Sequence, residues 1–379
     1  MKSSPFIRWA KSRSGVRYNL AHSGAPRLTS ADLGFRSAGP EGSLFEELDD
    51  GLKLAADNLD GWPPLLSAIA SRYDVAIEQV VTTHGNSMAN HLVCAALLDP
   101  GDGVVVEKPC YEPLHLLPEY FGAVVSFFER KAQDRFDVDP EAVEAQVNST
   151  TKLVILSNLH NPSGAVISRE SLKALGKLAD YYDFYILVDE AYLEFLHGGV
   201  HRTAARISPR FVATRSLTKA FGLDGLRLGW ILSSSKLAEK IRHLNDLFSI
   251  HTAHPSERLA LKALQRAEEL LMPQRNLADR NRWTTDSFVS TDRHLEWVKP
   301  PSGTVGWVRL KEGSVDEMVE RLETDHQTSV APGRFFGDES CFRIGFGIPA
   351  EDLREGLQRL RKALREKAVP NQGNEDEAA

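Results

Sequence analysis

Between residues 104 and 232, short runs rich in β-branched and aromatic residues alternate with longer stretches of helical apolar spacing, and no other feature restricts the fold as much. The pattern predicts strands over 104–107, 124–128, 153–158, 185–188, 211–214 and 229–232, interleaved with helices over 88–98, 140–146 and 168–181. Strands of nearly continuous apolar character need helical cover on both faces, which implies a mostly parallel sheet and an α/β domain. Ligands of such sheets bind just outside the carboxyl ends of the strands.

After about residue 250 the pattern changes. A helix over 256–272 is expected, then an Arg- and Asn-rich stretch, a strand over 306–310, a helix over 314–324, a strand over 342–346 and a last helix over 350–366. This reads as a smaller α+β domain. The expected division is an arm over 1–45 that contributes to the small domain, a large domain over 46–255, the small domain over 256–368, and a polar, acidic tail over 369–379 too poor in apolar residues to pack. A chain of 379 residues is too long for one ordinary core. With 42% hydrophobic and 26% charged residues, no apolar run of membrane-spanning length and no basic stripe, small molecules are the default partners, rather than lipid or nucleic acid. Three cysteines without paired spacing, and no secretory leader pattern, point to a reducing cytoplasm. No metal-ligand spacing is present, so no metal is expected.

The polar motifs follow the strands. Ser216-Leu217-Thr218-Lys219-Ala220-Phe221-Gly222, with Arg227 downstream, offers an amine, two hydroxyls and a guanidinium that suits a phosphate. Alone, it is equally a surface lysine in a Ser/Thr loop. Ile186-Leu187-Val188-Asp189-Glu190-Ala191-Tyr192 puts an acid at the end of an apolar strand and a tyrosine three residues on. It also fits a turn cap beside a packed tyrosine, or the acidic end of a nucleotide-binding strand, although no Gly-x-x-x-x-Gly-Lys-Ser/Thr accompanies it. Asn158-Leu159-His160-Asn161-Pro162-Ser163-Gly164 is a good turn by itself. Gly85-Asn86-Ser87 opens a helix whose free N–H groups and dipole favour an anion, and equally reads as an ordinary helix cap. Arg343, alternating with apolar neighbours in Phe342-Arg343-Ile344, needs an anion if buried, either a structural acid or a carboxylate ligand.

Taken together, these strings resemble, in order and over roughly 20–365, the class I/II aminotransferases of fold type I, which depend on pyridoxal phosphate. The typical lysine segment, Ser-x-Ser/Thr-Lys-x-Phe-Gly-x-x-Gly-x-Arg-x-Gly, is met at every fixed position. The resemblance implies that Lys219 holds the cofactor as a Schiff base and Asp189 keeps the pyridine nitrogen protonated. It implies that Asn161 and Tyr192 meet the phenolic oxygen and that Tyr111, in Lys108-Pro109-Cys110-Tyr111, stacks on the ring. Gly85, Asn86, Ser87, Ser216, Thr218 and Arg227 would take the phosphate. Arg343, with Gly24 of Ser23-Gly24-Ala25-Pro26 and Asn161, would bind the substrate carboxylate.

The resemblance further implies a homodimer with shared active sites that moves an amino group between an amino acid and a 2-oxo acid by a ping-pong mechanism. Two departures concern specificity. Ala55-Ala56-Asp57-Asn58 stands where many members carry a tyrosine that reaches the partner's phosphate, so either Asn58 substitutes or the contact is lost. Residues 248–255 lack the arginine that binds a distal carboxylate in aspartate aminotransferase. C–S β-elimination, decarboxylation and cyclisation on the same fold stay open, because side chains near the substrate choose the bond. A non-enzymatic sensor is less favoured, with no room for a DNA-binding domain ahead of residue 20.

Overall fold

A computed structural model describes residues 3–13, 15–29, 32–33 and 60–365. The strands are β1 (Tyr18–Asn19), β2 (Val80–Thr83), β3 (Gly103–Lys108), β4 (Val124–Glu129), β5 (Thr151–Ser157), β6 (Tyr185–Asp189), β7 (Phe211–Ser216), β8 (Gly229–Leu232), β9 (Leu295–Trp297), β10 (Val305–Leu310), β11 (Thr328–Ser329), β12 (Ala331–Pro332) and β13 (Cys341–Gly345). A seven-stranded sheet runs in the order β2-β8-β7-β6-β5-β3-β4. It is parallel from β7 to β4, while β8 lies antiparallel to both β7 and β2. The expected α/β fold with a mostly parallel sheet is therefore present.

Successive side chains of each central strand enter different cores. Leu153 and Ile155 of β5 pack with Leu92 and Val106, whereas Val154 and Leu156 pack with Leu172, Leu175 and Phe184. Burial on both faces is why these strands read as unbroken apolar runs. Three of the helices that cover them begin at a serine or aspartate cap: Ser168 accepts from Ser171 N, Ser234 from Leu237 N, and Asp139 from Glu141 N.

Antiparallel β8 brings its first residue, Gly229, beside both Ser216 at the end of β7 and Thr83 at the end of β2. The loop from 217 to 228 thus folds over the carboxyl edge of the sheet. Beneath it, Arg215 donates from Nε to Glu190 at 2.7 Å, with both side chains almost wholly inaccessible. That ion pair ties the end of β7 to the end of β6, so the residues flanking it, Ser216 and Asp189, are held in fixed relation.

The second sheet, β12-β13-β10-β9, is antiparallel, and β1 pairs with β11. Leu20, next to β1, is fully buried among Phe342, Ile344, Phe346 and Leu353. The expected arm from 34 to 45, Ala55 to Asn58, and the tail over 369–379 lie outside the described residues.

Two expectations need correction. The helix expected over 256–272 is two helices, His254–Gln265 and Ala267–Thr291, broken at Arg266, and the second runs on through the Arg- and Asn-rich stretch. Its buried face includes Gln274, Arg275, Asn281 and Thr285 besides Leu271, Ala278 and Phe288. Asn281 donates to the carbonyls of Phe346 and Ile348, and Arg275 to that of Glu194. Partnered polar residues thus carry a helical period that apolar spacing alone does not reveal. The edge strand β2, Val-Val-Thr-Thr, was not expected, since its two threonines cut the apolar run to two residues.

Candidate active site

The carboxyl ends of β5, β6 and β7 open into a cavity of about 280 Å³. Lys219, Asp189, Tyr192, Asn161, Tyr111, Ser216, Thr218, Arg227, Asn86, Ser87 and Arg343 all line it. Gly85 and Gly24 are not among its lining residues, although their neighbours Asn86 and Ser23 are.

At one end the helix Asn86–Leu97 points its N-terminus into the cavity, where its first N–H groups have no intrahelical acceptor. Gly85 precedes it at φ +79°, and a Cβ there would stand 2.6 Å from Arg227 Nη2. A Cβ on Gly229 would likewise lie 2.8 Å from the carbonyl carbon of Gly85. The two glycines let Arg227, Ser216, Thr218 and the helix N-terminus converge, and this donor set suits a phosphate.

At the floor lies Asp189, which accepts from Asn90 Nδ2 at 2.9 Å and from Ala191 N at 3.1 Å. Asn90 is fixed in turn by Thr214, whose hydroxyl donates to its Oδ1 at 2.6 Å. Burial raises the Asp189 carboxyl above its ordinary value, and these hydrogen bonds work against that rise. A buried carboxylate so placed suits a cationic ring nitrogen. Asp189 also caps its own turn through Ala191, so the two readings of this residue are compatible.

On the far wall Arg343, only 2% exposed, donates from Nη1 to Asn161 Oδ1 and from Nη2 to the carbonyl of Ala21, both at 2.9 Å. Its guanidinium lies over Phe6 and Phe336, 5.4 and 5.1 Å from the ring centroids, and its Nε has no protein partner among the described residues. Among the described residues no carboxylate pairs with it, which leaves a buried cation at the wall of a ligand-sized cavity. Because Asn161 Oδ1 accepts from Arg343, its Nδ2 is the group left to donate. The residues present therefore fit pyridoxal phosphate with an amino-acid carboxylate beside it.

Sequence reasoning missed several lining groups. Ser23 and His22 line the cavity next to Gly24, and the helix Pro5–Ser12 covers it with Phe6, Ile7 and Ala10. That helix is held where Phe6 N donates to Glu112 at 2.9 Å and Ser4 donates to the same carboxylate. Phe6 meets Tyr111 edge-on, with centroids 5.8 Å apart. Asn90 had a readable signal: it stands one turn after Asn86, a polar residue on the buried face of an apolar helix.

The model of the family described as aminotransferase class I and II matches residues 48–360. Capreomycidine synthase of Streptomyces vinaceus is 29% identical over 371 residues, spanning 96% of this chain and 94% of that protein. An aspartate/prephenate aminotransferase of Thermus thermophilus is 29% identical over 318 residues, 80% of this chain and 82% of its own. The crystal structure of a pyridoxal-phosphate-dependent aminotransferase from Streptococcus suis superposes with a TM-score of 0.88 at 27% identity, covering 96% of this chain and 98% of that one. The chain belongs to the class I and II aminotransferases, pyridoxal-phosphate-dependent enzymes of fold type I.

Proposed function

We propose that the protein is a transaminase that moves an amino group between an amino acid and a 2-oxo acid in two half-reactions, with Lys219 as the point of covalent cofactor attachment. The observation that carries this reading is the pairing, in one cavity, of an amine at Lys219 with an unneutralised buried guanidinium at Arg343. When bound, pyridoxal phosphate supplies the electron sink that stabilises negative charge at the substrate Cα.

The chain does the rest. Ser216, Thr218, Arg227 and the N–H groups after Gly85 hold the phosphate, while Tyr111 packs against the ring. Asp189 holds the proton on the ring nitrogen, and Asn161 Nδ2 and Tyr192 donate to the phenolic oxygen. Arg343 takes the α-carboxylate, which directs the Cα hydrogen toward Lys219. With the cofactor and substrate in place, the free Lys219 amine would be the group positioned to take the proton from Cα and pass it on.

On this reading the large and small domains divide near residues 255 and 256, and the arm completes the small domain. Exposed Leu247, Phe248 and Ile250 suit a second copy of the chain, in keeping with a homodimer that shares its sites. Three buried, unpaired cysteines agree with a reducing cytoplasm.

A second reading has its own support. Similarity to capreomycidine synthase, a protein named for making a product rather than for moving an amino group, extends over the arm as well. One experiment separates the readings. Holoenzyme is mixed with each common amino acid while the cofactor absorbance is followed, and pyruvate and ammonia are assayed without any amino acceptor. Conversion to the aminated cofactor supports transamination. Ammonia release, or turnover without that conversion, supports elimination or cyclisation, and a Lys219→Ala variant that keeps the absorbance of covalently bound cofactor would sink both.

A further inference from the structure

We infer that Ser23 is a positioning residue for Lys219: its hydroxyl holds the free amine over the substrate and links it to Tyr192. This rests on the reading of Lys219 as the group that moves the Cα proton. Lys219 Nζ donates to Ser23 Oγ at 3.0 Å, and the Tyr192 hydroxyl donates to the same oxygen at 2.8 Å. Ser23 is 7% exposed and lines the cavity. Nothing in the lysine segment, the Asp–Tyr string or the Asn–Pro turn calls for it.

The contact is built into the backbone. Ala25 N donates to the Lys219 carbonyl at 2.8 Å, Leu28 N to the Gly222 carbonyl at 3.1 Å, and the Thr304 hydroxyl to the Ser23 carbonyl at 2.8 Å. The arm is therefore clamped to the lysine loop just after Ser23, and Ser23 itself is held by Thr304. A side chain with two rotamer-limited atoms has little freedom to leave Lys219.

A hydroxyl suits this place because the amine changes state during the reaction. The proton leaves the substrate Cα for the nitrogen lone pair of Lys219, and the electron pair stays behind on carbon to enter the cofactor ring. Before that step the amine is neutral: it donates one N–H to Ser23 Oγ and keeps its lone pair for the incoming proton. Afterwards it is an ammonium, and Ser23 accepts from it. Alanine accepts in neither state, and a carboxylate would keep the amine protonated before the step.

The test uses Ser23→Ala in the full chain. One hydrogen bond to a charged group corresponds to about tenfold in rate. We expect kcat about tenfold lower with KM within about twofold, and a larger kinetic isotope effect with an α-deuterated amino acid. A second readout needs no turnover: the apoprotein should capture pyridoxal phosphate covalently about tenfold more slowly. Adding Tyr192→Phe should cost less than the product of the two single effects, because the residues share one oxygen. An unchanged isotope effect and capture rate in Ser23→Ala overturn the inference and leave the transaminase reading untouched, whereas absence of any capture by the wild type overturns that reading instead. Should Ser23→Ala fail to fold, Ser23→Cys, nearly isosteric but a weak donor, carries the same expectations.

Discussion

Arg343 on β13 donates to Asn161 on the turn after β5 across 2.9 Å, so the residue assigned to the substrate carboxylate is tied to one assigned to the cofactor. The bond also orients the Asn161 amide. Replacement by lysine keeps a cation but cannot span Asn161, Ala21 and a two-point carboxylate together. We expect Arg343→Lys to lower kcat/KM for the amino donor by about 100-fold, chiefly through KM, since roughly 3 kcal/mol of charge-assisted hydrogen bonding is lost. Steady-state kinetics test this, and an unchanged KM would remove Arg343 from the carboxylate site. Cofactor absorbance should persist, because no phosphate ligand is touched.

His22 supplies a pH prediction. Burial first, then the nearby Lys219 cation, with smaller contributions from Arg27 and Arg343, push its imidazole down to about 4. Its ordinary value is 6.5. Between those two values the unfolded chain binds a proton that the folded chain refuses, so stability falls as pH drops through this window and is unaffected above it. The loss amounts to about 3 kcal/mol by pH 4. In the apoprotein, where Lys219 carries a free amine, His22→Gln should therefore flatten the decline in melting temperature between pH 6.5 and 4. Parallel pH profiles for the two proteins would contradict the assignment.

The legible residues are those fixed by local chemistry at a strand end. Asp189, Asn161 and Lys219 follow apolar runs whose character demands burial on two faces, and the sheet then delivers all three to one edge. Ser23 and His22 were hidden because the stretch from Ala21 to Thr29 has no periodicity of its own. Its place is set by distant partners, such as Gly345 N donating to the Leu20 carbonyl and Ala25 N to that of Lys219. The helix Ala267–Thr291 was cut short in the reading for a related reason: Arg275 and Asn281 look solvent-facing until their acceptors, Glu194 and Phe346, are known. Composition records what a residue is, whereas these roles depend on what it meets.

Glu194 meets an unusual number of cations. It accepts from Arg72 Nη2 at 2.9 Å and from the Tyr73 hydroxyl at 2.7 Å, with Arg215 Nη1 at 3.4 Å and Arg275 Nη2 at 3.8 Å. Burial alone would raise its carboxyl, yet Arg215 and Arg72, with hydrogen bonds from Arg72 and Tyr73, hold it below its ordinary value. Glu194→Gln leaves buried guanidinium groups short of an anion and should cost about 3 kcal/mol of stability near pH 7, read as a lower urea midpoint. A carboxyl with a depressed folded value contributes stability above its unfolded value and loses it as pH falls through the folded one. The gap between wild type and variant should therefore narrow below about pH 4.5. Arg215 also pairs with Glu190 and stands directly before Ser216, so the same variant should bind pyridoxal phosphate more weakly through a looser β7 end. A gap as wide at pH 4 as at pH 7 would point to lost packing rather than lost charge, and would separate Glu194 from the phosphate end of the site.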